Sequence, residues 1–218
     1  PHTQTCAFHL NGGSSWNSLL TNGCQETLDG LIELTDPHAH ARVLEALGFY
    51  SAPMLYLEVS QPPSFPDTVD KISELKDTQL SPLQAAIAAS TLTNQGIRPG
   101  PRIVNAYQNP EGEWIILPKF ESNEEVLTPD QATATTELLK SPESAVWSVT
   151  AVVGREENGM VTWYIGGTTA NWQGQPLVVV VLLEKAAARS ARAIGQSLLE
   201  ETLKLTMAAE EIGLGASP

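Results

Sequence analysis

One serine of the sequence stands three residues before a lysine, a spacing that can support acyl transfer. In Ser73-Glu74-Leu75-Lys76 a helix would place both side chains on one face, and the lysine could take the serine proton during attack on a carbonyl. The flanks do not favour a helix, because Pro62, Pro63 and Pro66 lie just upstream. We therefore expect this pair to contribute charge to a loop rather than to form a nucleophile.

A histidine pair and a cysteine pair could hold a metal ion or a cross-link. His38 and His40 are two positions apart, which on a helix directs them to different faces, and no nearby cluster completes a ligand set. We therefore predict a surface helix start there, with no metal site and no cofactor. Cys6 and Cys24 are either a disulfide, which would indicate an oxidising compartment, or two buried thiols. The sequence leaves both alternatives open.

The composition limits the class of protein further. The chain has 218 residues, 42% of them hydrophobic, so it can bury the core of a domain. Its 25 acidic residues against 12 Lys plus Arg give a net charge of −13, which argues against nucleic acid and anionic membranes as partners. The longest apolar run, Leu177–Leu183, is far shorter than the roughly 20 residues of a membrane-spanning helix. We therefore predict a single domain over residues 1–218 with no membrane-spanning segment.

Three helix starts are marked by a polar capping residue followed by proline at the first helical position. Two of them also have a glutamine three residues after the cap, Gln84 and Gln131, as in a capping box. The three starts and the helices that they predict are Asp36-Pro37 (about 37–47), Ser81-Pro82 (about 82–95) and Thr128-Pro129 (about 129–140).

The C-terminal part of the chain predicts a sheet followed by a helix. Ala145–Val153 and Met160–Ile165 are β-rich runs, and Asn158-Gly159 between them is a hairpin turn signal. Leu177–Leu183 is continuously apolar, which predicts a strand buried on both faces, and Ala186–Met207 is an Ala- and Leu-rich helix. The order predicts an α+β fold in which the C-terminal helix packs on a three-stranded antiparallel meander.

The remaining segments carry weaker signals. Ser18–Leu34 has a helical period, as one helix or as two short helices that meet near Gly23. Residues 49–80 predict an irregular loop, because prolines interrupt any regular element. Three further expectations are one short strand at Met54–Val59, a solvated acidic loop at Glu121–Glu125, and core positions along the apolar stripe from Ala188 to Leu205.

A specific motif lies between Gln79 and Gly96. It begins Ser-Pro-Leu-Gln-Ala at Ser81 and ends Thr-Asn-Gln-Gly, and extended and turn-like segments follow at Pro101–Val104 and Asn109–Trp114. This segment resembles the transpeptidase domain of penicillin-binding proteins. That family has a (Val/Leu)-(Thr/Ser)-Pro-Leu-Gln helix ending in Ala-Asn-Gly-Gly, then a Pro-Arg-hydrophobic-Val segment and a turn.

Other stretches agree with the family in the same order. Cys6–Gln25 resembles its run of a Cys, a Gly-rich turn and Ser-Cys-Asn, and Val43–Phe49 resembles its Leu followed by Gly-Phe-Gly. Trp163–Gly166 before Leu177–Leu183 resembles the approach to its last valine-rich strand. The resemblance covers most of residues 6–207. It implies a penicillin-binding-protein/β-lactamase-like α+β fold, a helical cluster with an antiparallel sheet, from which the N-terminal part of the family domain is absent.

The family's catalytic motifs, Ser-x-x-Lys, Ser-x-Asn and Lys-Thr-Gly, do not survive intact. The first would lie dozens of residues upstream of Gly23, so we expect no nucleophile in this chain. The resemblance aligns the second with Gly23-Cys24-Gln25, where Gly23 cannot relay a proton and Gln25 could still hydrogen-bond a substrate amide. The third aligns near Ser148, in place of the lysine, and Thr150 or a neighbour, in place of the glycine.

Two further matches agree with the motifs only as patterns. Ser15-Trp16-Asn17 fits Ser-x-Asn, but its flanks do not match the family. Gly166-Gly167-Thr168-Thr169 resembles a Thr-Gly element, but it follows the second predicted strand, so we expect a turn. No catalytic residue is predicted beyond the family motif positions Gly23, Gln25, Ser148 and Thr150.

The resemblance implies a role in bacterial peptidoglycan synthesis, outside the cytoplasm, with a tether through a missing N-terminal segment. The damaged motifs favour a non-catalytic domain that binds or scaffolds, with peptidoglycan stem peptides, β-lactams or cell-wall synthesis proteins as partners. One alternative is an active serine acyl-transferase, or DD-transpeptidase, whose nucleophile is Ser15, Ser73 or an upstream serine. Another is a purely structural interaction domain that has lost the cleft.

Overall fold

The computed structural model describes residues 6–10, 14–53, 55, 80–118, 121–140, 144–154 and 159–211, the last five by their backbone alone. Six helices and seven strands follow one another within these ranges. In chain order they are α1 (Trp16–Thr21), α2 (Gln25–Glu33), α3 (Pro37–Ala46), α4 (Pro82–Thr93), β1 (Ile97–Arg98), β2 (Ala106–Gln108), β3 (Trp114–Ile116), β4 (Glu124–Glu125), α5 (Pro129–Leu139), β5 (Val146–Val153), β6 (Val161–Thr168), β7 (Val178–Glu184) and α6 (Ala188–Glu211).

The three proline-marked helix starts are confirmed, because each cap makes the predicted hydrogen bond. The Ser81 hydroxyl accepts from the Gln84 amide at 3.2 Å, and the Ser81 amide donates to Gln84 Oε1 at 3.1 Å. Thr128 and Gln131 form the same reciprocal pair at the start of α5. The side chain of Gln84 is buried, and it also donates to the carbonyl of Phe49 at 3.1 Å. The start of α4 is therefore fixed both locally and to the segment that follows α3.

The main sheet is the predicted antiparallel meander, in the order β5-β6-β7. Helix α4 packs on one face and α6 on the other. On the α4 face, the Trp147 indole donates to the Thr168 carbonyl at 3.0 Å and approaches Thr93 Oγ1 at 3.3 Å. On the α6 face, the ring of Tyr164 lies so close to Gly195 that a Cβ there would be 1.9 Å from a ring carbon. The sheet is thus the central layer of an α+β core.

The segment from Ser18 to Leu34 forms two short helices, α1 and α2, and they meet at Asn22–Cys24 as the second alternative predicted. The disulfide alternative for the two cysteines is also the one adopted, because Cys6 and Cys24 are bonded. Since Cys24 is the residue before α2, the cross-link attaches the N-terminal segment to the α1–α2 turn.

The turn expected at Gly166–Thr169 is wrong for its first three residues. Gly166, Gly167 and Thr168 lie in β6, which continues past Ile165 and pairs with β5. The glycines are needed for close packing rather than for chain reversal. A Cβ on Gly167 would be 2.6 Å from Thr93 Oγ1, and one on Gly166 would be 2.7 Å from the Tyr164 hydroxyl oxygen.

Three other expectations need correction. The strand predicted as buried on both faces, β7, is only half-buried. A helix covers each of its faces, but β7 is an edge strand, so one of its sides has no neighbouring strand among the described residues. The acidic loop contains β4, whose Glu124 pairs with Arg98 of β1. The stripe on α6 is only partly core. Its buried positions are Ala188, Ala191, Gly195 and Leu199, whereas Ile194, Leu198 and Leu205 are exposed.

Several predictions fall outside the described residues. These are the pair Ser73 and Lys76, the turn residue Asn158, most of the 49–80 loop and, apart from Leu55, the short strand at Met54–Val59. They stay predictions from the sequence. Within the part of the chain that the structure describes, no helix is both long and apolar enough to cross a membrane.

Candidate functional site

The turn between α1 and α2 packs directly against the outer edge of β5. A Cβ on Gly23 would be 2.8 Å from both the Thr150 carbonyl oxygen and the Ala151 Cβ, and the φ of Gly23 is +52°. Both the space and the backbone conformation therefore require glycine there. The structure thus brings together two of the four predicted site positions, Gly23 and Thr150, through backbone contact.

The hydroxyl of Thr150 points to the α6 side of the sheet, where it accepts a hydrogen bond from an arginine. Thr150 is fully buried, and its Oγ1 accepts from Nε of Arg192 at 3.1 Å. Nη2 of the same guanidinium donates to Asn22 Oδ1 at 2.8 Å, and the guanidinium carbon lies 3.8 Å from the centre of the Phe8 ring. Arg192 therefore connects β5, the α1–α2 turn and the N-terminal segment.

This arginine is held without a carboxylate among the described residues, because its hydrogen bonds go to neutral oxygens. Burial lowers the pKa of Arg192, and the coulombic interaction with Tyr164 partly offsets that effect. The guanidinium stays charged at neutral pH because its ordinary pKa is so high. The site is thus an internal clamp with a positive centre in a protein of net charge −13.

Ser148 lies two residues before Thr150 and on the same face of β5, beside Tyr164. Burial raises the pKa of Tyr164, the Ser148 hydroxyl and Arg192 lower it by smaller amounts, and Glu200 raises it slightly. The phenol nevertheless makes no hydrogen bond of good geometry with a described residue. Ser148 is half-buried. Its hydroxyl lies on the α6 side of the sheet, at the position where the resemblance predicted that a neutral residue replaces the family's lysine.

Gln25 is separated from this cluster, as an exposed residue at the first position of α2. Its amide is therefore accessible, but no side-chain hydrogen bond joins it to Ser148 or Thr150 within the described structure. No side-chain hydrogen bond or ion pair joins any of the three described lysines, Lys140, Lys185 and Lys204, to β5. Lys140 and Lys204 form ion pairs with Glu137 and Glu201 of their own helices, each three residues away.

The outer edge of β5 is covered at several points. Lys140 forms an isolated antiparallel bridge with Trp147, and the Gly23 turn lies at Thr150 and Ala151. An extended ligand could not pair along the whole of this edge without displacing the turn.

The other pattern matches have local structural roles. Ser15 is the cap of α1, and its hydroxyl accepts from the Ser18 amide at 3.4 Å. His40 Nε2 lies 2.7 Å from the hydroxyl of Thr35. The backbone amide of His38 donates a hydrogen bond to the side chain of Asp36, the cap of α3. Among the described residues, no group of three or more His, Cys, Asp or Glu side chains could hold a metal ion.

Sequence reasoning missed the residues that form the clamp: Phe8, Asn22 and Arg192. One signal was present. Arg192 follows Ala191 and precedes Gly195 on the small-residue face of α6, where an arginine must find internal partners. The partners themselves were not predictable, because Asn22 and Thr150 are distant in sequence from Arg192 and from each other.

No protein-family model matches the sequence, and no curated protein matches it. Several solved structures do match this chain. Penicillin-binding protein A from M. tuberculosis, in an imipenem acyl-enzyme complex, is similar with a TM-score of 0.70 and 25% identity over 87% of this chain and 47% of that one. The chain has the fold of a penicillin-binding-protein transpeptidase domain. The predicted α+β class and the family resemblance are therefore confirmed.

Two other similar structures agree with this fold at lower identity. Penicillin-binding protein 3 from M. tuberculosis has a TM-score of 0.69 and 14% identity over 86% of this chain and 52% of that one. A peptidoglycan synthetase from Bifidobacterium adolescentis has a TM-score of 0.67 and 15% identity over 94% of this chain and 41% of that one. This transpeptidase-like chain thus spans about half the length of the solved chains that it matches.

Proposed function

We propose that this chain is a non-catalytic, transpeptidase-like domain that serves bacterial peptidoglycan synthesis as a scaffold. The single observation that carries the proposal is the closed contact between the Gly23 turn and the β5 edge. The resemblance aligns the proton-relaying serine of the family with Gly23. The contact with β5 leaves no room at Gly23 for any side chain. The link to the cell wall comes from the similar solved structures, which include penicillin-binding proteins and peptidoglycan synthetases.

The other motif positions support the same proposal. The Thr150 hydroxyl accepts a hydrogen bond from the Arg192 guanidinium, which cannot take a proton, and the Ser148 hydroxyl lies beside the buried Tyr164. Among the described residues, neither hydroxyl is hydrogen-bonded to a lysine, a histidine or a carboxylate that could accept its proton. A serine hydroxyl without an adjacent base is a poor nucleophile. Acyl transfer is therefore not the chemistry for which these residues are arranged.

We place the domain outside the cytoplasm, in the cell envelope, as a further part of the proposal. The Cys6–Cys24 disulfide supports this, because disulfides persist in oxidising compartments and are rare in the cytosol. Solved relatives of the fold hold imipenem, aztreonam and ampicillin, so a β-lactam is the natural probe for a remaining cleft.

The test is intact-mass measurement of the 218-residue chain after incubation with a penicillin. We expect no adduct on the wild type and none on Gly23→Ser, which restores the family residue but collides with Thr150 and Ala151. Gly23→Ser should also lower the melting temperature, because it forces a side chain into a positive φ and an occupied space.

A covalent adduct on the wild type would overturn the non-catalytic proposal, and peptide mapping would then identify the serine. Titration with a stem pentapeptide separates the binding form from the scaffold. Saturable binding that Gln25→Ala abolishes would replace the scaffold with a peptide-binding domain. If neither the wild type nor Gln25→Ala binds the pentapeptide, the result supports the scaffold.

A further inference from the structure

Strands β2 and β3 form an isolated two-stranded ribbon with an unusually apolar surface. The side chains of Trp114 and Ile116 are 69% and 78% exposed, and Tyr107 on the other strand is 50% exposed. No third strand joins this ribbon among the described residues. Exposed apolar side chains that lie together form the kind of patch that marks an interaction site.

The connecting turn holds the ribbon in a defined shape. The amide of Asn109 donates to the Glu113 carbonyl at 3.0 Å, and the Asn109 side chain accepts from the Glu113 amide at 2.8 Å. Gly112, with a φ of +86°, supplies the left-handed position that the turn needs. The Gln108 side chain also donates to the carbonyl of Gly112 at 2.8 Å. The ribbon is therefore a preorganised surface rather than a loose loop.

The register shows which backbone groups face outward. Leu117 donates to Asn105 at 2.9 Å and Asn109 donates to Glu113, so these two pairs are hydrogen-bonded. Hydrogen-bonded pairs alternate with non-bonded pairs in an antiparallel ribbon, and Trp114 and Ile116 are therefore in non-bonded pairs. The amides and carbonyls of Trp114 and Ile116 therefore point away from β2, at the outer edge of β3. The same two residues have the most exposed apolar side chains of the strand.

This edge lacks two of the features that proteins use to prevent strand pairing, a lysine and a proline within the strand, although it is only three residues long. Trp114–Ile116 contains no lysine and no proline, and no described element covers its outer side. Residues 104–118 include two acidic side chains, Glu111 and Glu113 at the turn, whereas the nearest basic residues, Arg102 and Lys119, lie beyond the other end of the ribbon in sequence. The edge is thus open, apolar and negatively charged at one end.

We propose that the outer edge of β3 binds an extended, basic and apolar segment of a partner protein, which adds a third strand to the ribbon. The main-chain groups of Trp114 and Ile116 would pair with the added strand, and Glu111 and Glu113 would attract its basic side chains. The inference is independent of the proposed function, because it rests on the ribbon alone.

A second copy of this chain fits the edge less well than a basic partner does. Each copy carries a net charge of −13 and would bring the same acidic ribbon. Charge complementarity therefore selects a heterologous segment.

The test uses a labelled synthetic peptide of about ten residues that alternates valine with lysine, and fluorescence anisotropy with the full chain. Two control peptides replace every lysine with glutamate, or a central valine with proline. We expect saturable binding of the lysine peptide only, and weaker binding at higher salt. On binding, the amides of Trp114 and Ile116 should gain hydrogen-exchange protection, whereas the amide of Ile115 should change little.

Matched variants locate the site. Trp114→Thr and Ile116→Thr should each weaken binding about tenfold, whereas Tyr107→Thr, on the other strand, should leave it nearly unchanged. Equal binding of the three peptides, or no effect of the β3 variants, would overturn the proposal. A concentration-dependent dimer of the chain alone that Ile116→Thr abolishes would also overturn it, in favour of a second copy as the occupant.

Discussion

Tyr164 combines complete burial with a phenol that makes no hydrogen bond of good geometry among the described residues. A buried polar group without a partner costs about 1–3 kcal/mol. Tyr164→Phe keeps the ring that packs on Gly195 and removes the hydroxyl. We therefore expect the variant to be more stable than the wild type by about 1 kcal/mol in urea denaturation.

The same residue predicts how stability depends on alkaline pH. Burial raises the pKa of Tyr164, whereas an unfolded tyrosine ionises near its ordinary pKa of about 10. Stability from this group is therefore complete below that value and is lost as the pH rises towards the folded pKa. The advantage of Tyr164→Phe should grow between about pH 8 and about pH 11. A constant or shrinking advantage would contradict a buried neutral phenol.

Two glycines in helices predict opposite results for the same substitution. Gly195→Ala on α6 would place a methyl group against the Tyr164 ring, so we expect a loss of about 1–3 kcal/mol. Gly30→Ala on α2 meets no atom within 4 Å, so the better helix propensity of alanine should add about 0.5–1 kcal/mol. Thermal unfolding of both variants measures the difference, and equal effects would mean that α6 does not pack so closely on the sheet.

At the scale of elements, the disulfide and Arg192 hold the α1–α2 turn from two sides. Cys6→Ala with Cys24→Ala opens a loop with a sequence separation of 18, which should cost about 3 kcal/mol. Reduction of the wild type with dithiothreitol should produce a similar decrease in denaturation midpoint. If both leave the midpoint unchanged, the cross-link contributes nothing to the stability of the folded chain.

The elements that the sequence predicted are those specified by neighbouring residues. Asp36, Ser81 and Thr128 begin helices through hydrogen bonds within three residues, so the signal is local. Strands β1 and β4 escaped prediction because each is two residues long and they pair across a separation of more than 20 residues, where Arg98 meets Glu124. Such pairing is decided by tertiary contacts rather than by propensity.

At the scale of the whole molecule, the order of elements and the family motif together predicted the architecture. Two β-rich runs and one continuously apolar run predicted the meander, and the Ser-Pro-Leu-Gln helix predicted the family fold that the solved structures confirm. The candidate site was predictable only as a set of motif positions. That Gly23 lies against Thr150, and that Arg192 binds the Thr150 hydroxyl, depends on contacts between parts of the chain that no local pattern connects.

The position of the Cys6–Cys24 bond along the chain has a consequence for biogenesis. Both cysteines precede β5 by more than 100 residues, so a chain that enters an oxidising compartment from its N-terminal side exposes them long before the sheet arrives. The covalent loop can then close while the residues of the sheet are still being synthesised or exported. The α1–α2 turn, which covers part of the β5 edge in the folded protein, is thus already cross-linked when the sheet folds against it.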